Sequence, residues 1–374
     1  MGNLFYVEVG LNGKYTEINL PATDYEMLDM LEKLKADQTD KIKWEILDDE
    51  VTGNFLVEKG TIFELNILAR RIAEMKPTDI PAFVALTEMT MRESEEYPCA
   101  RELINLSYST DCCHLLADIK DFEGLGRFYA DEDKGFIPGF EALMKDVYDN
   151  LDFNKIGRDI AEGEDGCFTS QGYVVQNDAL ADVADSLDYS VKKPEYQIKL
   201  ELASRDDGSR ESVELPMDDE KLQELLGKKV VIMSADCRVP RLNSVIERTY
   251  NLGAINRLAE KLALMWDARA LRYKMLLETQ SISDLDTAFN LIKDIRSYVF
   301  GTNITEPPEV GREKLIELLG AEKAEKISPY VDLYGFGQSI IESEGLTLTE
   351  YGTVKQKPSL KPNDQQAMGG LEMK

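Results

Sequence analysis

The stretch "FNKIGRDIAEGEDGCFTSQGYV" (153–174) reads as a helix with a glycine inside it, a cluster of carboxylates, and a short strand. Phe153, Ile156 and Ile160 recur at three- and four-residue spacing, so one side of the helix is buried, and Asp152 stands where an N-cap belongs. Gly157 within such a helix costs about 1 kcal/mol relative to alanine, and close approach of another element would account for it. A second stretch, "LYGFGQSIIESEGLTLTEYGTV" (333–354), aligns with the first at an offset of 180 residues without a gap. The matches are Asp152/Asp332, Gly157/Gly337, Ile160/Ile340, Glu162/Glu342, Glu164/Glu344, Thr169/Thr349, Gly172/Gly352 and Val174/Val354.

The correspondence extends upstream. "TIFELNILARRIAEM" (61–75) and "NLGAINRLAEKLALM" (251–265) match at an offset of 190 through Asn66/Asn256, Leu68/Leu258, Ala69/Ala259, Ala73/Ala263 and Met75/Met265. "INLPATDYEMLDML" and "VELPMDDEKLQELL" share Leu-Pro, Asp24/Asp219 and Leu31/Leu226 at an offset of 195. The offset shrinks along the chain, as loop deletions in a second copy would make it. The sequence therefore predicts a tandem duplication, with copies over 1–190 and 196–355 and a polar, disordered tail over 356–374, whose composition cannot build a core.

Each copy reads as mixed α+β. Strands are predicted over Leu4–Val9, Tyr15–Leu20, Tyr196–Leu202 and Glu211–Leu215. A short amphipathic helix follows Pro21 or Pro216, then the helix carrying Leu65, Leu68 and Ile72. Further helix is predicted around Leu103–Ile119 and Leu285–Val299. Tyr148, Phe153, Phe168 and Tyr173 are expected in the core.

The 374 residues carry 70 acidic and 43 basic side chains, for a formal net charge of −27. That charge is segregated: residues 1–190 sum to −23 and residues 191–374 to −4. Within the second half, residues 221–280 are net basic through Arg238, Arg241, Arg248, Arg257, Arg269 and Arg272. A field of this sign repels nucleic acid and anionic membrane and attracts a basic partner over distance. No apolar run approaches the length of a membrane span, and the N-terminus "MGNLFYVEVG" has no basic region followed by an apolar core, so a cytoplasmic protein is expected.

Enzyme signatures fail. Five cysteines without a CxxC pair argue for free thiols, with no zinc site. The single histidine, His114, follows Cys112 and Cys113, but adjacency in sequence does not aim a base at a thiol, and a partly buried helical residue is the plainer reading. "DEDKGFIPGFEA" (131–142) begins like a calcium loop, yet its glycine comes one place early and Ala142 stands at position twelve. "GLGRF" (124–128) lacks the third glycine of a dinucleotide loop. No catalytic residue, metal or cofactor is predicted.

With these residues in view, the first copy resembles the antirestriction proteins of the ArdA type. The likeness runs from about Phe5 to Val175 and rests on "ELNILARRIAEM" (64–75), "GLGRFY" (124–129) and "LDFNKIGRDIAEGEDGCFTSQGYV" (151–174), which carries a Gly-Arg-Asp signature. The second copy looks like a divergent member, with Gln338 and Ser339 at the positions of Arg158 and Asp159. The resemblance implies an elongated α+β protein of small mixed subdomains that mimics bent B-form DNA and blocks the DNA groove of type I restriction-modification enzymes without catalysis. It also implies a homodimer, or a pseudo-dimer formed by the two copies. On this reading Asp131, Glu132, Asp133, Asp149, Asp152, Asp159, Glu162, Glu164 and Asp165 face the partner. The partner is the basic DNA-binding surface of a restriction enzyme or of another defence system such as a CRISPR effector, with no direct nucleic-acid contact. An acidic adaptor for some other basic protein surface is the alternative.

Overall fold

Alternation of buried Phe5, Val7 and Val9 with half-exposed Tyr6 and Glu8 opens the chain as a strand, β1 (Phe5–Leu11), that turns through Asn12-Gly13 into β2 (Lys14–Leu20). The structure is a computed structural model and describes residues 4–49, 57, 59–94, 96–131 and 145–358. In chain order there follow α1 (Asp24–Leu34), β3 (Lys43–Asp49), α2 (Ile62–Glu74), α3 (Ile80–Ser94), α4 (Ala100–Ser107) and β4 (Cys113–Leu116). Then come α5 (Phe122–Ala130), α6 (Lys145–Tyr148), α7 (Phe153–Glu164), β5 (Cys167–Phe168) and β6 (Tyr173–Gln176). The second half begins with β7 (Ile198–Ser204), β8 (Arg210–Leu215), α8 (Asp219–Leu226), β9 (Val230–Cys237), α9 (Asn243–Glu247) and α10 (Leu252–Ala263). It ends with α11 (Asp267–Glu278), α12 (Leu285–Asp294), β10 (Tyr298–Gly301), α13 (Pro307–Leu319), α14 (Ala321–Ile327), α15 (Leu333–Glu344), β11 (Leu346–Thr349) and β12 (Gly352–Gln356). The fold is mixed α+β, and among the described residues the strands form four three-stranded antiparallel sheets.

The chain divides into two compact units: residues 1–22 with 36–192, and residues 23–35 with 193–374. In the first unit, β1 lies between β2 and β3, and β6 between β4 and β5. The second unit repeats both orders, β8-β7-β9 and β10-β12-β11. Its core joins Ile198, Leu200 and Leu202 of β7 to Leu258 and Leu262 of α10, Tyr273 and Leu276 of α11 and Leu291 of α12.

Several paired residues do the same work in each unit. Asn66 clamps the backbone of Ala22, accepting from its N–H at 2.8 Å and donating to its carbonyl at 3.2 Å; Asn256 clamps Met217 in the same way at 2.9 and 3.1 Å. The Thr169 hydroxyl donates to the Gly172 carbonyl at 2.9 Å, and Thr349 donates to Gly352 at 2.7 Å. Both Leu-Pro bonds, at Pro21 and Pro216, are cis.

Two expectations need correction. Helix does not continue to Ile119: α4 stops at Ser107, a turn through Ser109–Asp111 follows, and Cys113–Leu116 pairs with β6. Likewise α12 ends at Asp294, and Tyr298–Gly301 pairs with β12. In both places the closing strand requires an edge partner, and that demand overrides the local helical spacing. Lys355 and Gln356 complete β12, so the tail begins later than read, and residues 359–374 lie outside the described residues.

Helix α1 groups with the second unit through a cluster of charges. Lys274 of α11, 6% exposed, meets Asp29 at 2.5 Å and Glu32 at 2.7 Å. The Tyr351 hydroxyl, itself buried, donates to the Asp29 carboxylate at 2.9 Å. Lys33 bridges Asp29 at 3.6 Å and Glu350 at 2.6 Å. Burial opposes the charge on Lys274, but Asp29 and Glu32 outweigh it and hold its pKa above the ordinary lysine range. Beside them Glu278 accepts from the Glu350 N–H at 2.9 Å, and burial pushes its carboxyl up to about 7.

A carboxyl raised in the folded state contributes stability that is complete below its unfolded pKa and is lost as pH rises through the folded value. The unfolding free energy of the wild type minus that of Glu278→Gln should therefore fall between pH 4.5 and pH 8. Urea unfolding at three pH values measures it; a difference that stays flat would remove Glu278 from the account.

Candidate functional site

Helix α7 has the expected cap and close crossing, but Ile156 and Ile160 of its expected buried stripe are only half-buried, and the small residues Gly157 and Ala161 are buried beside Phe153 instead. The Asp152 carboxylate accepts from the Lys155 N–H at 3.0 Å, closing the N-terminus, while Phe153, Gly157 and Ala161 are buried. Gly157 crosses Gly126 of α5 so closely that a Cβ on Gly157 would lie 1.9 Å from the Phe122 carbonyl oxygen, and one on Gly126 would lie 1.9 Å from that of Phe153. The second unit makes the same crossing between α13 and α15, where a Cβ on Gly337 would lie 1.8 Å from the Pro307 oxygen. Tyr148 and Phe153 pack ring to ring at 5.2 Å, and Phe168 with Tyr173 at 5.1 Å, which places these aromatics in packing roles.

With that face inside, the opposite arc of α7 turns Asp159 and Glu162 to solvent, and Asp149, Asp152 and Asp165 are exposed beside it. Asp149, Asp159, Glu162 and Asp165 form no ion pair among the described residues. Residues three apart on a helix advance about 4.5 Å along its axis, against about 3.4 Å per phosphate along one DNA strand. The arc is not purely acidic. Lys155 and Arg158 are exposed on it, with the Arg158 guanidinium 5.5 Å from the centre of the Phe122 ring.

Glu164 differs from its neighbours. It is half-buried and accepts from the Tyr129 hydroxyl at 2.7 Å, so it ties α7 to α5. Its counterpart Glu344 is held by Lys314 and Lys355 at 3.1 Å each, so the matching carboxylate in the second unit is neutralised. Asp131 is half-buried as the C-cap of α5, and Glu132 and Asp133 lie outside the described residues, as does the rest of the loop that begins like a calcium site.

Other exposed acids went unread: Asp178 and Asp182, followed by Asp185 and Asp188, which pair with Arg101 at 2.8 Å and Lys192 at 2.6 Å. The run "NDALADVADSLD" (177–188) was the available signal, one acid every three or four residues after strand β6.

The cysteine-histidine reading has no geometric support. His114 is exposed on strand β4, where a helical residue was expected, and successive strand residues point to opposite faces, so it turns away from Cys113. Burial pushes the Cys113 thiol up to about 11 and the Cys237 thiol up to about 12, which disfavours the nucleophilic thiolate. All five cysteines are free. Among the described residues no group of three or more His, Cys, Asp or Glu is arranged to hold a metal, and no helix is long and apolar enough to cross a membrane.

No protein-family model matches the chain, and no curated protein matches it.

Proposed function

We propose that this protein is a non-enzymatic inhibitor that presents carboxylates in place of DNA phosphates and occupies the basic DNA-binding groove of a defence nuclease, in the first instance a type I restriction-modification enzyme. The observation that carries the reading is the segregation of charge. Residues 1–190 hold 40 acidic and 17 basic side chains, and Asp149, Asp159, Glu162 and Asp165 stand exposed without ion pairs among the described residues. A groove lined with Lys and Arg to match one phosphate per about 1.7 Å of duplex would be drawn to such a surface over distance and would bind it without reading sequence. The shared sheet orders, asparagine clamps and glycine crossings support reading the chain as a tandem duplication in which the weakly charged second copy stands in for a second subunit.

The test is competition between this protein and a labelled duplex for a purified type I restriction enzyme at two salt concentrations. Displacement should weaken steeply with salt. Converting Asp149, Asp159, Glu162 and Asp165 together to Asn or Gln should raise the half-inhibitory concentration at least tenfold. Each single change should shift it by a small factor, since an exposed pair contributes only about 0–1 kcal/mol. Glu164→Gln should leave it unchanged, because that group is turned inward. Absence of displacement at either salt would overturn the restriction-enzyme reading.

A further inference from the structure

The second unit contains a surface of opposite character. Along α10 and its C-cap, half-buried Gly253 and exposed Arg257, Lys261 and Leu264 recur every three to four residues, with Glu260 and Ala263 exposed beside them. Tyr250 stands just before the helix, 82% exposed, and Trp266 just after it, 63% exposed. Leu264 is 75% exposed, and the Arg269 guanidinium lies 5.9 Å from the centre of the Trp266 ring. Arg248, Arg257 and Lys261 are exposed and form no ion pair among the described residues. The nearby acids are already engaged, Glu260 by the Asn256 side-chain amide, which donates to it at 3.4 Å. Asp267 is held by Lys193 at 2.6 Å and Arg238 at 2.7 Å, and Glu247 accepts from the Ala235 N–H at 3.1 Å. Arg238, a cation of the same sequence region, is buried and donates to the Leu262 and Met265 carbonyls that end α10, so it belongs to the scaffold.

Two exposed rings separated by a helix about 18 Å long, with unpaired cations between and beside them, form an alternation of stacking platforms and phosphate contacts. Protein hot spots, though they also favour Trp, Tyr and Arg, cluster together at the centre of an interface, whereas these two rings stand at opposite ends of the helix. Here Arg257 and Lys261 lie between the two rings, with Glu260 and Leu264 exposed beside them. The geometry points to a single-stranded nucleic-acid binding stripe on the second unit, formed by Arg248, Tyr250, Arg257, Lys261, Trp266 and Arg269. Bases stack on the two rings and phosphates meet the cations between them, with no sequence code required. The net charge of −27 does not forbid this. At physiological ionic strength charges beyond about 8 Å are largely screened, so the local stripe decides contact, while the acids elsewhere lower the rate of encounter. This inference stands apart from the inhibitor reading, which concerns the acids of the first unit.

The experiment uses the full chain and a fluorescently labelled 20-nucleotide oligothymidylate, read by anisotropy at 20 and 150 mM salt. Saturable binding is expected at low salt. Tyr250→Ala with Trp266→Ala should weaken it at least tenfold. Arg257→Gln with Lys261→Gln should reduce the slope of log K against log salt by about 1.4, since each cation removed takes away about 0.7. In a Trp44→Phe chain, where Trp266 is the remaining indole, the oligonucleotide should quench the fluorescence. Tyr250, Arg257, Lys261 and Trp266 are exposed, and unchanged melting temperatures would establish that the variants fold.

No binding at either salt, or binding that neither pair of substitutions alters, would overturn the proposal. A duplex of equal length that binds as tightly without quenching Trp266 would overturn it as well. So would capture of polyglutamate, but not oligothymidylate, through these same residues, which would reassign the stripe to an acidic protein.

Discussion

Replacing Lys274 with methionine is expected to destabilise the second unit by about 3 kcal/mol, and to do so through the carboxylate it abandons. Asp29 is 7% exposed and would lose the ammonium 2.5 Å away. Breaking a buried pair from one side costs about 3–5 kcal/mol, because the remaining charge is left in a medium that cannot solvate it. The lower end applies because the Tyr351 hydroxyl still donates at 2.9 Å and Lys33 stands at 3.6 Å. Pairing Lys274→Met with Asp29→Leu should recover most of the loss, since replacing both members of a buried pair with apolar groups is often neutral. Urea unfolding of the four members of this cycle gives the coupling, and hydrogen exchange over residues 23–35 locates it, with α1 amides exchanging faster in the single variant. A Lys274→Met chain within 1 kcal/mol of the wild type would show that water reaches Asp29 and that the cluster contributes little.

That cluster also marks where the sequence stops being readable. Asp29 and Lys33 stand four apart on α1, the spacing of an ordinary solvated helix pair. Nothing local announces that their partners Lys274 and Tyr351 lie more than 240 residues away. Elements whose own periodicity faces one core were legible: β1, β2, β7, β8, α2 and the capped, glycine-bearing α7. The third strands were not. "KWEILDD" of β3 is an edge strand with no buried side chain described from Lys43 to Asp48. "VVIMSADC" of β9 buries its last three residues, Asp236 among them, and leaves Met233 54% exposed. Pattern reading rests on burial alternating along one segment, and these strands owe their place to pairing with β1 and β7. The same limit governs the candidate site. Charge is visible in a sequence, but direction is not, so Glu164 could not be told from Glu162 until Tyr129 was seen bonded to it.

Direction is what Gly157 controls, and alanine there is expected to have the largest effect of any single methyl group on the acidic arc. Intrinsic preference would favour the change, since alanine gains about 1 kcal/mol over glycine within a helix. Packing reverses the sign. The new Cβ would lie 1.9 Å from the Phe122 carbonyl oxygen and 3.0 Å from the Gly126 nitrogen, both backbone atoms that no rotamer change can move aside. The two helices must separate along their crossing. Overpacking costs about 1–3 kcal/mol where side chains can adjust, and a net loss of about 3 kcal/mol is expected here. Gly163 provides the control within the same helix. A Cβ there meets nothing within 4 Å, so Gly163→Ala should be neutral or stabilising by up to about 1 kcal/mol. Thermal unfolding of the two variants distinguishes a backbone crossing from a general intolerance of substitution in α7; equal effects would refute the crossing. The pair also separates shape from charge, because neither substitution removes a carboxylate. If inhibition depends on Asp159 and Glu162 being held at a fixed spacing, Gly157→Ala should weaken it while Gly163→Ala should not. If both variants inhibit as the wild type does, net charge alone is sufficient, and the scaffold is needed for folding without setting the positions of the acids.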